Sequence, residues 1–423
     1  MKKGSLLGGI LLVAGTAVGA GMLALPVVTS FSGFYPSLLL LGIVWLVMTY
    51  TSFLFLEVVL WMKGETNIVS MAKYTLGSTW ASISWVVYLF LLYSLTTAYL
   101  SGCGHLLEES FEVATGWDIP GWLSYLPFIL IFGSFVYLGT KSVDYLNRFL
   151  MLGLVVAYAI LIVLLPEHVQ KQYFDHVNWH GMLLSLSVVV TSFGFHIIIP
   201  SLVTYMDGDI KRLKWSLLIG SIIPLIVYVT WEFLVLGVVP AIGNNGLIPL
   251  WFSGEQVIRP LKAIVGSTWI MSGARMFSFF AILTSFLGVS LSLSDFLADF
   301  FHVAFGIKSK ATNRGKSLLC CMTFVPPLVF AVAYPRVFFQ ALYYAGAFGV
   351  VVLLVALPAL MVWSGRYRKQ WTSSFKAYGG RVALLCIILF SVFVIGVVVA
   401  ETAGYLSFVT EEYARICHQE DVT

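Results

Sequence analysis

The chain has 423 residues, 59% of them hydrophobic and only 10% charged, whereas about a quarter of the residues of an ordinary soluble domain are charged. That balance excludes a water-solvated globular enzyme, and the formal net charge of +4, dispersed among short loops, excludes a nucleic-acid-binding surface. Apolar runs of about 18 or more residues recur along the whole length, enough for an α-helix to cross roughly 30 Å of hydrocarbon. A transmembrane β-barrel would instead alternate in polarity over segments of about ten residues.

Cutting the sequence at its polar and Gly/Pro-rich breaks predicts helices over 5–29, 35–61, 80–106, 121–139, 146–165, 181–205, 214–238, 275–301, 317–333, 337–363 and 381–403. The expectation is an all-α integral membrane protein of eleven transmembrane helices. The first run follows Met1-Lys2-Lys3 and holds small residues from Ala17 to Gly21, as a signal peptide does. It continues through Met22, Leu23 and Leu25 to Thr29, long enough to span, so it is read as a retained helix. Between the seventh and eighth helices, residues 241–272 carry Pro249, Trp251, Phe252 and Pro260 and are too interrupted to cross. A loop with a short helix over one mouth is expected there. The cysteines Cys103, Cys320, Cys321, Cys386 and Cys417 are odd in number and have no zinc-ligand spacing, so they read as small hydrophobes rather than a disulfide framework or metal site.

The lysines and arginines set an orientation. With the N-terminus inside, Lys171, Arg259, Lys262, Arg275, Arg336 and Arg415 fall outside, and all the rest of the 24 fall inside. Such a bias obeys the positive-inside rule, so a cytoplasmic N-terminus and a periplasmic C-terminus are expected.

The first helix is interrupted by Gly15-Thr16-Ala17-Val18-Gly19-Ala20-Gly21 before it reaches Pro26. Small residues at this spacing serve close helix packing, or they mark a helix unwound near the midplane, whose freed amides bind a carboxylate and whose freed carbonyls bind an ammonium or cation. The sixth helix repeats the pattern, with Thr191-Ser192-Phe193-Gly194-Phe195-His196 followed by Pro200. Broken helices one and six, five spans apart, predict an inverted five-plus-five repeat: 5–165, then 181–363, with 381–403 as an extra helix in one transporter domain spanning 1–423.

The stretches Gly15–Pro26 (GTAVGAGMLALP), Leu95–Gly104 (LTTAYLSGCG) and Ser192–Leu202 (SFGFHIIIPSL) resemble the hydroxy and aromatic amino acid permease family of the amino acid, polyamine and organocation transporter superfamily. The resemblance runs from end to end. It implies a bundle with helices one and six broken, and proton-driven secondary transport of tryptophan, tyrosine, serine or threonine across a bacterial inner membrane. The Ser-Phe-Gly-Phe-His run tilts the expectation to tyrosine or tryptophan, although Ile197 stands where something small or polar is expected. The alternative is a serine or threonine symporter of the same family. A membrane-embedded enzyme or a channel is more distant, since neither convergent catalytic groups nor a repeated pore motif is visible.

On this basis the expected substrate-binding residues are Thr16, Gly19, Ala20, Gly21, Tyr99, Ser192, Phe193, Gly194, Phe195 and His196. Amides near Gly19 to Gly21 meet the carboxylate, and carbonyls near Thr16 and Ser192 meet the ammonium. Phe193, Phe195, Tyr99 and His196 form the side-chain slot. His196 and Glu232 are the proton-coupling candidates, because an ionisable group is costly in lipid and is a functional candidate by default. The bland alternatives are a histidine satisfied by its neighbours, and a glutamic acid that is structural or faces the vestibule. Thr284, Ser292 and Asp295, with Gly288, share one face of helix eight and either line an inner pathway or, for the hydroxyls, bond to their own helix. Asp295 and Glu57 lie near helix ends, where pairing with a loop cation is expected. The expected partners are an amino acid, protons and membrane lipid. No cofactor, metal or nucleic acid is called for.

Overall fold

The computed structural model describes residues 4–62, 67–117, 120–243, 245–255, 257–265, 267–306, 310, 312–334, 337–372, 374–405 and 413. Of the residues used to orient the chain, Lys2, Lys3, Lys63, Lys308, Arg336, Arg415 and the cysteine Cys417 lie outside them. Helix is the only regular secondary structure among the described residues, which contain no strand. Among the described residues ten helical segments are long and apolar enough to cross a membrane, and a bent pair at the N-terminus makes an eleventh span, the number expected.

The first span is α1 (Leu6–Ala17) and α2 (Gly21–Thr29), bent by 53° at the break. Next come α3 (Phe34–Trp61), the short α4 (Ile68–Leu76), α5 (Ser78–Thr115), α6 (Gly121–Leu138) and α7 (Thr140–Leu164). The sixth span is α8 (Gly181–Ser192), a 3-10 turn at His196–Ile198, and α9 (Ile199–Tyr205). After α10 (Ile210–Val238), two short helices, α11 (Leu247–Ser253) and α12 (Ile258–Val265), fill the segment expected to lie over a mouth. Then follow α13 (Thr268–Phe305), α14 (Asn313–Ala333), α15 (Val337–Tyr344) continuing through a π-helical stretch, Ala345–Ala356, into α16 (Leu357–Trp363), and finally α17 (Gly380–Thr402).

Several spans are longer than the apolar runs that predict them. The fifth begins at Thr140 rather than 146, because the mostly polar run Thr140 to Asn147 forms about two turns of helix ahead of the apolar part. Arg148 and Asp144 pair across it at 2.8 Å, and Gly139, at φ 98°, supplies the hinge from α6 that only glycine adopts freely. The eighth begins at Thr268 rather than 275, just after the extended residue Ser267.

The broken spans sit at the centre. All nine residues of α2 are buried, as are nine of the twelve in α8. Around them α1 lies along α10, α2 along α8, and α13 along α7 and α5. The perimeter is apolar instead of charged: Leu46, Leu130, Val163 and Val382 are 60–73% exposed, the surface a lipid-facing bundle presents. Exposed Trp269, Tyr145, Tyr378 and Tyr405 stand near span ends, where amphipathic rings anchor at the headgroups. The chain is a multi-pass membrane protein.

At the end that carries Ser5, called the inner end here, a buried ion pair fixes the loop before α17. Glu57 of α3 receives two hydrogen bonds from Arg366, through Nε at 2.7 Å and through Nη2, and a third from the Ala377 amide at 2.8 Å. Arg366 also donates to the Ala377 carbonyl at 2.8 Å. The expected loop cation for Glu57 is thus Arg366.

Candidate functional site

The helix-one break is local chemistry before it is a site. Val18 is extended (φ −73°, ψ 112°), which ends α1, and the chain restarts at Gly21 after Gly19 and Ala20. A Cβ at Gly19 would run into the Ser285 hydroxyl of α13, so close approach requires glycine there, whereas one at Gly21 would stand 3.0 Å from Ser192 Oγ, which leaves room for little more than a methyl group. In the sixth span Phe193 (ψ 21°) and Phe195 (ψ −2°) leave the α-helical path, and three residues of 3-10 helix follow. Pro200 then falls in the first turn of α9, where its missing N–H costs no bond.

Tyr228 of α10 joins the two breaks. Its hydroxyl lies 2.7 Å from the Ala17 carbonyl and 2.7 Å from the Ser192 carbonyl, the last turns of α1 and α8. On the opposite wall Ser285 Oγ accepts from the Ala20 amide at 2.9 Å. The amide of Gly19 has no hydrogen-bond partner among the described residues.

A cavity of about 350 Å³ lies where these breaks meet. Its polar end is the run from Gly15 to Gly21 with Thr191, Ser192 and Gly194, and its apolar wall is Tyr88, Leu91, Leu92, Leu95 and Tyr99 of α5 with Met151 of α7. Thr284, Ser285, Gly288 and Ser292 of α13 line the side leading to the inner end. Thr16 and Gly288 are exposed along this side, whereas Gly19, Ala20 and Gly21 are buried. Beyond α2 the other end is shut, with Phe31 edge-on to Trp251 (6.1 Å), Phe252 (6.4 Å) and Tyr413 (5.5 Å). The cavity is therefore open toward the end that carries Ser5 and closed at the other, and α11, which carries Trp251 and Phe252, is the short helix over the closed mouth.

Of the residues singled out from the sequence, Thr16, Gly19, Ala20, Gly21, Tyr99, Ser192, Gly194, Thr284 and Ser292 line this cavity. Thr284 and Ser292 do so while also bonding to their own helix, at the Phe280 and Gly288 carbonyls. Five others stand off it. Phe193 is fully buried against Tyr228, ring centroids 5.1 Å apart. Phe195 is fully buried and stacks on His196 at 5.1 Å. His196 points away from the cavity to α3, where its Nε2 is 2.9 Å from Thr51 Oγ1 and Phe55 lies edge-on. Glu232, also fully buried, meets Thr29 of α2 at 2.8 Å. Asp295 pairs with Lys310 at 2.5 Å near the inner end of α13.

Sequence reasoning missed Ser285 and Tyr228. Ser285 sits beside Thr284 and on the same face as Gly288 and Ser292, so helical spacing alone could have found it. Tyr228 carries the fainter signal of standing one turn before Glu232. No group of three or more His, Cys, Asp or Glu side chains able to hold a metal ion occurs among the described residues.

With this geometry in view, comparison with known proteins identifies the family. The profile of the tryptophan/tyrosine permease family matches residues 2–398. The chain is 36% identical over 404 residues to tyrosine-specific transport system 1 of Haemophilus influenzae, an alignment covering 95% of this chain and 98% of that one. It is 33% identical over 424 residues to the tryptophan-specific transport protein of the same organism, covering 97% and 99%. It is 30% identical over 412 residues to the low affinity tryptophan permease of Escherichia coli, covering 93% and 95%. Breaks, cavity and full-length similarity agree, and the chain belongs to the tryptophan/tyrosine permease family.

Proposed function

We propose that this protein imports tyrosine or tryptophan across a bacterial inner membrane by symport with protons, its N-terminus in the cytoplasm and its C-terminus in the periplasm. The observation that carries the proposal is the cavity of about 350 Å³ at the junction of two unwound spans, within the range of roughly 300–1,000 Å³ that encloses small ligands. Its two ends suit the two ends of an aromatic zwitterion. The positive end of α2 and the Gly19 amide favour the carboxylate, and the Ala17 and Ser192 carbonyls, each with a lone pair beyond that used by Tyr228, favour the ammonium. The α5 wall of leucines, Tyr88 and Tyr99 suits an aromatic ring and offers little to a serine or threonine side chain. On this proposal Thr16, Gly19, Ala20, Gly21, Ser192 and Gly194 hold the backbone of the amino acid, and Tyr99 faces its ring. Phe193 and Phe195 act from behind by fixing the shape of the break. Thr284 and Ser292 line the inner exit, and Asp295 marks its rim.

The two broken spans, each first in its half, also support an inverted repeat of 5–165 and 181–363 followed by the additional helix 381–403, all within one transporter domain. Proteoliposomes test the function. Labelled tyrosine and tryptophan should accumulate when an inward proton gradient is imposed in sodium-free buffer, and a protonophore should collapse the accumulation. Accumulation that needs sodium at constant pH would overturn the proton part, and failure of both amino acids to enter would overturn the substrate class.

A further inference from the structure

We propose that Glu232 carries the coupled proton, and that taking up this proton is the condition for α2 to seat against α10 and close the outer path. The inference rests on the proton-symport reading and assigns its carrier.

Glu232 is enclosed with a single hydrogen-bond partner among the described residues. Thr29 Oγ1 lies 2.7 Å from the Leu25 carbonyl and 2.8 Å from Glu232 Oε2. A hydroxyl has one hydrogen to give. The Leu25 carbonyl can only accept, and it stands four residues back in the same helix, where threonine hydroxyls ordinarily donate. Thr29 can give that hydrogen to the Leu25 carbonyl or to Glu232 Oε2 or share it between them, and a protonated Glu232 would bring a hydrogen of its own to the second contact. Its other oxygen has no partner and the residue is fully buried, a placement that an ionised carboxylate strongly disfavours.

Nothing nearby compensates a charge. Neither α1 nor α2 has an ionisable side chain. On α3, Glu57 is occupied by Arg366, and Tyr50 donates to the Tyr378 carbonyl; Tyr35 does not bond Glu232. On α7, Tyr158 donates to the Val227 carbonyl. The turns Pro166–His168 and Lys171–Asp175, which pack on α10, carry Glu167, His168, Lys171, Tyr173 and Asp175. None of these, nor Arg275 on α13, pairs with Glu232, whose one hydrogen-bond partner among the described residues is Thr29.

Position supplies the coupling. Tyr228 and Glu232 stand one turn apart on the same face of α10, and that face grips both halves of the first span, Tyr228 at the end of α1 and Glu232 on α2. With α2 drawn away, Glu232 meets the outer water and binds a proton. Only the neutral acid then tolerates enclosure against α2 with one carboxyl oxygen left without a partner. Loss of the proton to water on the inner side leaves a bare, enclosed carboxylate and drives α2 off α10, which resets the carrier. The only bond made and broken is the acid O–H, and the proton passes from outer to inner water.

The experiment compares accumulation with exchange in proteoliposomes. Glu232→Gln replaces the neutral acid with an amide that can still donate to Thr29. It should retain exchange of internal for external tyrosine or tryptophan, with no pH dependence. Accumulation under an imposed gradient should fall to a ratio of one, against about tenfold per pH unit for one proton per substrate. If wild type accumulates under a proton gradient and Glu232→Gln does so equally, Glu232 is not the carrier. If wild type itself ignores the gradient, the symport reading has failed instead. Thr29→Val is the second variant, for the case in which Glu232→Gln is lost from the membrane. With the one hydrogen-bond partner of Glu232 removed, the pH of half-maximal uptake should shift, and an unshifted profile overturns the proposal.

Discussion

Removing the Tyr228 hydroxyl tests whether one side chain holds the two breaks in register. That hydroxyl is 2.7 Å from both the Ala17 and Ser192 carbonyls, yet it has one hydrogen, so it satisfies one carbonyl fully or shares itself between two. Tyr228→Phe keeps the ring, which packs edge-on to Phe193, and leaves both acceptors without the donor. Losing one hydrogen bond and stranding a buried carbonyl costs about 1–3 kcal/mol, a factor of roughly 5–150 in an equilibrium constant at about 1.4 kcal/mol per decade. Because both carbonyls border the cavity, substrate ammonium can replace the lost donor. The variant should therefore melt lower when empty and gain more from substrate than wild type does. Thermal unfolding in detergent, with and without saturating tryptophan, separates these terms. Equal empty-state melting points, or an equal substrate-induced rise, would refute the role given to Tyr228.

The buried pair of Glu57 and Arg366, with side chains 2% and 4% exposed, should respond asymmetrically: Glu57→Ala alone should cost about 3–5 kcal/mol of stability, and replacing both residues by methionine should cost less, as read from unfolding midpoints. Gly21→Ala should be tolerated with a slight loss of uptake, since its Cβ would sit 3.0 Å from Ser192 Oγ, whereas Gly21→Leu should overpack the break by about 1–3 kcal/mol and abolish uptake while the protein still inserts. His196→Gln should keep proton-driven accumulation, because an amide can replace the ring nitrogen that meets Thr51 Oγ1; loss of accumulation with exchange intact would return the coupling role to His196. A cysteine at Ser374, in the loop before α17, should be shielded from an impermeant thiol reagent in intact spheroplasts, and ready labelling there would reverse the orientation.

The span count was legible because hydrocarbon thickness imposes a length on apolar runs, and the two breaks were legible because glycines and a following proline are costly inside a helix. Helix ends were less so. Thr140 to Asn147 reads as a loop by polarity, but helices continue past the hydrocarbon wherever their backbone bonds are satisfied. The direction of His196 was hidden for a geometric reason: after Phe195 the chain turns through three residues of 3-10 helix, so α-helical spacing from Gly194 no longer predicts where the ring points, and it turns to Thr51. Of the two residues that tie the site together, Ser285 was legible from its spacing to Gly288 and Ser292, whereas Tyr228 acts through backbone carbonyls of other spans, and backbone partners leave no pattern in a sequence.

The most direct test of the central claim, that an aromatic amino acid binds where the two broken spans meet, is a competition measurement on one preparation of proteoliposomes. Uptake of labelled tryptophan and tyrosine would be challenged with each other, with serine and with threonine, in wild type and in Gly19→Leu, whose side chain would enter the space held by Ser285. The expected result is mutual competition between the two aromatic acids, no effect of serine or threonine at equal concentration, and loss of all uptake in Gly19→Leu with normal membrane content. Inhibition by serine or threonine as strong as by the aromatic acids, or undiminished uptake by Gly19→Leu, would contradict it.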